Sequence, residues 1–266
     1  MLCPKCKQDL IKKDNCYVCS NRHSFDIAKE GYTNLLLSDK KNSQFPGDNK
    51  EMVSSRAQFL EKGYYEPLAN AIKDVVKDTN KIKLCLLDAG CGVGYYSIHI
   101  KQLKDTCIDL IGIDISKFAV RVAAKKDKDS RYFVASIFDL PIEDASQDVI
   151  LNIFSPKANE EFRRVIKDDG ILIQVMPGKK HLYELKELLY KDKTYENEPD
   201  VSYDGFGLIK TIPLTYNINV SKDDLIHLFS MTPYLYKTKI EDIQNLNGVD
   251  NLKITIDFII AIWRKA

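Results

Sequence analysis

The sequence predicts an α/β chain: a parallel sheet with helices on both faces, preceded by a small N-terminal unit pinned by a metal. Three observations carry this. From Leu84 onward, short apolar runs alternate with amphipathic stretches, the pattern of repeated strand–helix units. The stretch from Leu86 to Tyr96, LLDAGCGVGYY, reads as a buried strand, an acid, three glycines spaced two apart and the first turn of a helix. Four of the seven cysteines fall before residue 20, in closely spaced pairs.

The N-terminal unit spans residues 1–37. Clustered cysteines argue for metal binding over disulfides in an intracellular chain. Cys3-Pro-Lys-Cys6 reads as a zinc knuckle, a short turn that aims two thiolates and nearby backbone N–H groups at one ion. Two completions fit a tetrahedral site: Cys16-Tyr-Val-Cys19, or Cys19-Ser-Asn-Arg-His23. A segment this short has too little core to fold without such a pin. Lys5, Lys7, Lys12, Lys13 and Arg22 outnumber Asp9 and Asp14 here, which reads either as a phosphate-contacting surface or as an ordinary solvated face. Cys85, Cys91 and Cys107 are scattered and read as small core or loop fillers.

Residues 38–80 are expected to form a linker and a helical segment that covers a cleft. Residues 38–55 are polar with Pro46-Gly47 in the middle, and read as a linker or mobile loop. Phe59, Leu60, Tyr64, Leu68, Ile72, Val75 and Val76 then line one side of a helical segment, broken near Gly63 and Pro67. Tyr64 and Tyr65 either face the cleft or pack in the core.

Residues 81–266 form the main domain. Strands are expected at 84–88, 108–114, 131–135, 148–154 and 170–176, with helices near 95–104, 116–126 and 158–167. In such sheets ligands bind at the carboxyl ends of the strands. The polar groups singled out here all follow a strand: Asp88, Asp114, Ser136, Asp139, Asn152 and His181. Gly90, Gly92 and Gly94 let the backbone turn tightly beside a ligand, and the helix that follows offers N–H groups to an anionic group. A dinucleotide fingerprint needs glycine at position 95, which is Tyr. D-x-G-x-G-x-G instead resembles the first motif of Rossmann-like methyltransferases that bind S-adenosylmethionine. Asp114, twenty residues past Gly94, is suited to accept both ribose hydroxyls. Asp139 either reaches the adenine side or caps a turn.

Asn152-Ile-Phe-Ser-Pro156 sits where many enzymes of this fold hold the methyl acceptor, and its aromatic can stack on a base. It lacks the Pro-Pro pair of amino-group methylases. Pro177-Gly178-Lys179-Lys180-His181 leads into an amphipathic helix, Leu182 to Tyr190. His181 reads as a contact for a cofactor carboxylate or an RNA phosphate, or as a simple helix cap. Residues 191–205 read as a flexible substrate-side loop, and 208–219 and 253–264 as late antiparallel strands.

The net charge is +1, with 39 basic against 38 acidic residues. A nucleic-acid partner would therefore be met by local basic groups, not by an overall field. No apolar run approaches the roughly 20 residues of a membrane span and the start does not look like a secretory signal, so a cytoplasmic site without membrane contact is the default.

Taken together, CPKC, CSNRHSFDIAKEGYTNLL, PGD, GYYEPL, LDAGCGVGYY, GIDISK, PGKKHLYELK and MTPY resemble the bacterial 23S ribosomal RNA guanine-N1 methyltransferases nearly end to end. The resemblance implies zinc on Cys3, Cys6, Cys19 and His23, with Cys16 a bystander. It implies S-adenosylmethionine contacted by Tyr65, the Gly92–Val93 turn and His181, beside Asp88, Gly90, Gly94, Asp114 and Ser136. Val93 replaces the acid often found between these glycines. It also implies a homodimer acting on an rRNA hairpin, with one subtype contributing to macrolide resistance. Guanine N1 must lose a proton before it attacks, and Asp204 and Asn152 are the candidate catalytic groups. A small-molecule methyltransferase and a non-catalytic RNA-binding module are the rival readings; the zinc unit argues against the first, the intact glycines and Asp114 against the second.

Overall fold

The protein is described by a computed structural model covering all residues except 39–45, 191–198, 237 and 239–242. Three short strands, β1 (Ile11–Lys13), β2 (Cys16–Val18) and β3 (Ser24–Asp26), form an antiparallel sheet of their own. The next strand, β4 (Tyr32–Asn34), leaves that unit and lies parallel to β7 (Arg131–Val134) at the edge of the main sheet. The N–H of Leu35 extends this pairing by donating to the Val134 carbonyl at 2.9 Å. The segment before residue 37 thus ends inside the main sheet.

The polar stretch 38–55 is not a linker throughout. Helix α1 (Lys50–Glu61) starts within it, because the Asn49 side chain caps it by accepting from the Met52 N–H at 2.9 Å. Met52 and Val53 are buried with Phe59 and Leu60. The chain then breaks at Gly63, φ +80°, and restarts as α2 (Glu66–Lys77), whose Leu68, Ile72, Val75 and Val76 face the core.

Among the described residues the main sheet has eight strands, in the order β10 (Phe206–Ser221), β11 (Asn251–Lys265), β9 (Ile166–Pro177), β8 (Gln147–Ile153), β5 (Lys83–Ala89), β6 (Cys107–Asp114), β7, β4. β11 runs antiparallel to both of its neighbours, β10 and β9, and every other neighbouring pair is parallel. The chain moves outward from β5 to β7 and returns to β8 on the other side of β5. This reversal opens a crevice at the carboxyl ends of β5 and β8.

Side chains alternate between two cores. Leu86, Leu110, Val149 and Leu151 pack under α1, α2, α4 (Lys117–Lys126) and α7 (Lys222–Ser230). Leu87, Ile111, Ile150 and Leu172 pack against α5 (Asn159–Val165) and the N-terminal unit. Helix α3 (Tyr95–Ile100) stops short of the expected 104, and α6 (Tyr183–Leu189) follows the Pro177–His181 turn. Helix α7 was not anticipated; Ser221 caps it by accepting from the Asp224 N–H. Among the described residues no helix is long and apolar enough to cross a membrane.

Candidate cofactor site and metal centre

Cys3, Cys6, Cys19 and His23 converge, their ligand atoms all lying within 4.8 Å of one another. The Cys6 and Cys19 sulfurs are 3.7 Å apart, and the His23 Nδ1 lies 3.5 Å from Cys3 and 3.4 Å from Cys19. Tetrahedral zinc with bonds of about 2.3 Å to sulfur and 2.0–2.1 Å to nitrogen requires edges of about 3.8 and 3.5 Å. Three thiols and one imidazole at this spacing fit zinc. The Cys6 thiol is pushed down to about 6, chiefly by the backbone N–H of Gln8, which favours the thiolate that metals bind. Cys16 stays outside the cluster, its thiol directed to the Lys13 carbonyl.

The zinc unit is docked against the loop after β7. The Leu2 N–H donates to the Pro141 carbonyl at 2.8 Å, Lys7 pairs with Asp139, and Tyr17 packs edge-on against Phe133. Asp139 therefore meets the zinc unit. Beside this contact Leu35, Leu36, Leu37, Ser136, Phe138 and Pro4 line a cavity of about 230 Å³.

Gly90, Gly92 and Gly94 all have positive φ, at +87°, +52° and +75°. A Cβ on Gly90 would lie 2.3 Å from the Ser155 hydroxyl, and one on Gly94 would lie 3.0 Å from Ala123. Among the described residues, a Cβ on Gly92 would find only Arg56 Cδ, 4.0 Å away, so this glycine leaves the crevice side of the bend clear. Four of the bend's own amides are spent on the chain. Gly90 and Cys91 both donate to the Ile113 carbonyl, Gly94 donates to Cys91, and Gly92 donates to Asp114 Oδ2 at 2.9 Å. Val93 is buried.

Asp114 closes β6 and also accepts from the Ser116 N–H at 2.7 Å. Each of its oxygens can accept once more, which suits a pair of ribose hydroxyls. Gly47 packs on Ile115 and Ser116, and the Ser116 hydroxyl donates to the Asp48 carbonyl at 2.7 Å, so the Pro46–Asp48 turn lies over this point. Open space at Gly92, acceptor capacity at Asp114 and a covering turn fit the nucleoside of S-adenosylmethionine.

Asp88 is buried behind the bend. Burial first, then the Asp114 charge, pushes its carboxyl up to about 7 against an opposing Ser97 hydrogen bond. An acid whose pKa rises on folding favours the native state fully below its unfolded value, and that contribution is lost as pH climbs through the folded value. The Asp88 contribution to the stability of the cofactor-free protein is therefore expected to be lost between about pH 4 and pH 7, by an order of 2–4 kcal/mol, while buried His181, whose pKa falls on folding, contributes in the opposite sense as pH rises over that range. Asp88→Asn removes most of that loss, as checked by urea unfolding at several pH values.

On the acceptor side, Asn152 is buried, with Nδ2 donating to the Pro156 carbonyl at 3.0 Å and Oδ1 unpartnered among the described residues. Phe154 holds φ +52°, a strained value for an aromatic residue, and is 42 % exposed beside Tyr96 and Phe258. Tyr65 and His181 pack on the same Phe258, with ring centroids at 5.2 and 4.6 Å. His181 is buried, and burial, then the Lys186 charge, pushes its imidazole down to about 3. Its Nδ1 accepts from the Asp257 N–H at 3.4 Å. A buried neutral ring offers a hydrogen bond but no positive charge to a carboxylate or a phosphate.

Asp204 lies elsewhere. It precedes Phe206, which pairs with Lys265 beyond the Ile171–Arg264 register at the amino end of β9, and Gly205 beside it packs on Arg163. That is the edge of the sheet opposite the crevice, so Asp204 is too remote to act as base. Residues 191–198 of the expected substrate-side loop lie outside the described residues. One residue at the crevice escaped the sequence reading. Arg56 sits on α1 amid polar neighbours, where no periodicity distinguishes it from a solvated arginine.

Comparison with known proteins agrees with this architecture. Residues 1–44 match the family model "RlmA, N-terminal" and residues 81–232 match "Methyltransferase domain". The chain is 30 % identical to the Bacillus subtilis protein named "Putative 23S rRNA (guanine-N(1)-)-methyltransferase YxjB", over 99 % of this chain and 96 % of that one. It is 33 % identical to the Streptomyces fradiae 23S rRNA (guanine(748)-N(1))-methyltransferase, over 70 % of this chain and 66 % of that one. A chain of the complex between the Haloferax volcanii Trm112 methyltransferase activator and its methyltransferase shares the fold, with a TM-score of 0.51 at 15 % identity over 82 % of this chain and 99 % of that one. With its zinc unit and glycine bend in place, the chain belongs to the 23S rRNA (guanine-N1) methyltransferase family and is an S-adenosylmethionine-dependent enzyme.

Proposed function

We propose that this enzyme methylates N1 of a specific guanine in a hairpin of 23S ribosomal RNA, acting as a homodimer in the cytoplasm. The observation that carries the reading is the placement of the zinc unit. It docks on the loop after β7, at the same end of the sheet as Phe154 and the glycine bend, so one face can hold folded RNA while a base enters the crevice.

In this reading Asp88, Gly90, Gly92, Val93, Gly94, Asp114 and Ser136 surround the cofactor, with Tyr65 and His181 shaping the wall between cofactor and acceptor. The bound cofactor supplies a methyl group already activated on a sulfonium. The chain's own residues supply alignment. N1 lies on the pairing edge of guanine, so the target base must leave its stack. Phe154 offers the exposed aromatic face that receives it. Asn152 Oδ1, held by the Nδ2 bond to Pro156 and otherwise unpartnered among the described residues, is a hydrogen-bond acceptor that can orient the N1–H or the exocyclic amine of the guanine, while the N1 proton itself passes to solvent or another base. His181, neutral and oriented by Asp257, donates from Nε2 without adding charge.

The test is to incubate the enzyme with a labelled methyl donor and deproteinised 23S rRNA, then identify the labelled nucleoside. Label in 1-methylguanosine is expected; label in another nucleoside, or none, overturns the reading. In the same assay Phe154→Ala is expected to lower kcat/KM for RNA about 10- to 100-fold, since a stacked base is worth about 1–3 kcal/mol, while cofactor affinity by calorimetry stays unchanged.

A further inference from the structure

Among the described residues, the crevice contains acids but is short of cations. Asp88 and Asp114 lie beneath the glycine bend, and Asp48 lies on the turn above it. The cofactor's methionyl end carries a carboxylate as well as an ammonium, and the carboxylate needs a donor. The Gly90, Cys91, Gly92 and Gly94 amides of the bend do not provide one, because they are bonded within the chain. His181 does not provide a charge, since burial keeps it neutral.

Arg56 has the required place and chemistry. Its Cδ lies 4.0 Å from where a Gly92 Cβ would be, directly across the open side of the bend. Its charge acts on Asp114, Tyr65 and Tyr96, the groups that line the crevice. Nε and Nη2 reach Asp48 Oδ2 at 3.1 and 2.8 Å, and Nη2 also donates to the Met231 carbonyl at 3.0 Å. Nη1 has no acceptor among the described residues. The guanidinium is thus held from one side by the turn over Asp114 and by the end of α7, and part of its donor fork remains free.

We propose that Arg56 takes the carboxylate of the cofactor's methionyl end, using its free Nη1 edge and sharing the Asp48 pair when the ligand binds. A planar guanidinium suits a carboxylate because two parallel N–H groups meet two oxygens. Because Asp48 follows Gly47 on the turn that packs on Ser116, the same arginine ties recognition of the amino-acid end to closure over the ribose end. The inference rests on the cofactor lying at this bend.

The test compares S-adenosylmethionine with its decarboxylated analogue, by calorimetry, on the wild-type chain and on Arg56→Met and Arg56→Lys. Arg56→Met is expected to weaken S-adenosylmethionine about 10- to 100-fold, the worth of a hydrogen-bonded charge pair, and to leave the analogue within about threefold of wild type. Arg56→Lys keeps the charge and is expected to fall between. Equal losses for both ligands would make Arg56 a structural residue and overturn the proposal, as would no loss for either. If Arg56→Met does not fold, Arg56→Lys alone decides it by whether the ratio of the two affinities shifts. A wild-type chain that binds neither ligand would overturn the cofactor pocket itself.

Discussion

Gly90→Ala is expected to abolish measurable cofactor binding and to destabilise the protein by about 2–4 kcal/mol. Two effects add at this position. The residue holds φ +87°, where an L side chain is strained, and its Cβ would come within 2.3 Å of the Ser155 hydroxyl and 2.7 Å of the Ser155 Cβ. Relief requires the bend and the Asn152–Pro156 loop to move apart, and in the proposed reading those are the two walls between which the methyl group passes. Gly92→Ala is the control for stability alone. It meets no atom closer than 4.0 Å and holds φ +52°, so its cost in stability is about 1 kcal/mol. Calorimetry with S-adenosylhomocysteine and urea unfolding measure both variants; a Gly90→Ala chain that binds with wild-type affinity would remove the bend as the cofactor site.

Replacing Cys3 and Cys6 together by Ser is expected to take zinc from one ion per chain to background and to unfold the N-terminal unit. Three-residue strands cannot hold a fold by themselves, and structural zinc contributes about 10–16 kcal/mol to small units. The loss should spread beyond that unit. Cys3, Leu10, Tyr17 and Cys19 share one buried cluster with Phe133, Leu140 and Ile150 of the main domain. Hydrogen exchange should therefore show lost protection in β7 and in residues 135–142 as well as in 1–26. Metal analysis tests the first claim; zinc retained at full occupancy would refute the ligand set.

Much of this was legible in the sequence because the signals were local. The run of strands from Leu84 is written in period-two and period-3.6 patterns, and the structure gives strands and helices there with ends shifted by a few residues. The zinc ligands are a spacing problem, and geometry selects among the candidate spacings. The remainder depended on contacts between distant residues. Asp204 looked chemically apt in a polar loop, but only strand register places it at the amino edge of the sheet. The polar stretch before α1 concealed a capped helix start, since Asn49 works as a cap only once Met52 lies in the core. Arg56 carries no pattern; its meaning comes from Asp48, Gly92 and Met231 meeting around it.

The pairing of β4 with β7 has a consequence for biosynthesis. Tyr32 finds its register partner at Tyr132, a hundred residues later. During translation the metal-binding turns emerge first and can load their ion at once, yet the strand that follows them stays unpaired until β7, about a hundred residues later, has left the peptide tunnel. Metal capture is thus an early, local event and docking a late one. A nascent chain stalled before Arg131 should hold zinc but leave Tyr32–Asn34 open to protease.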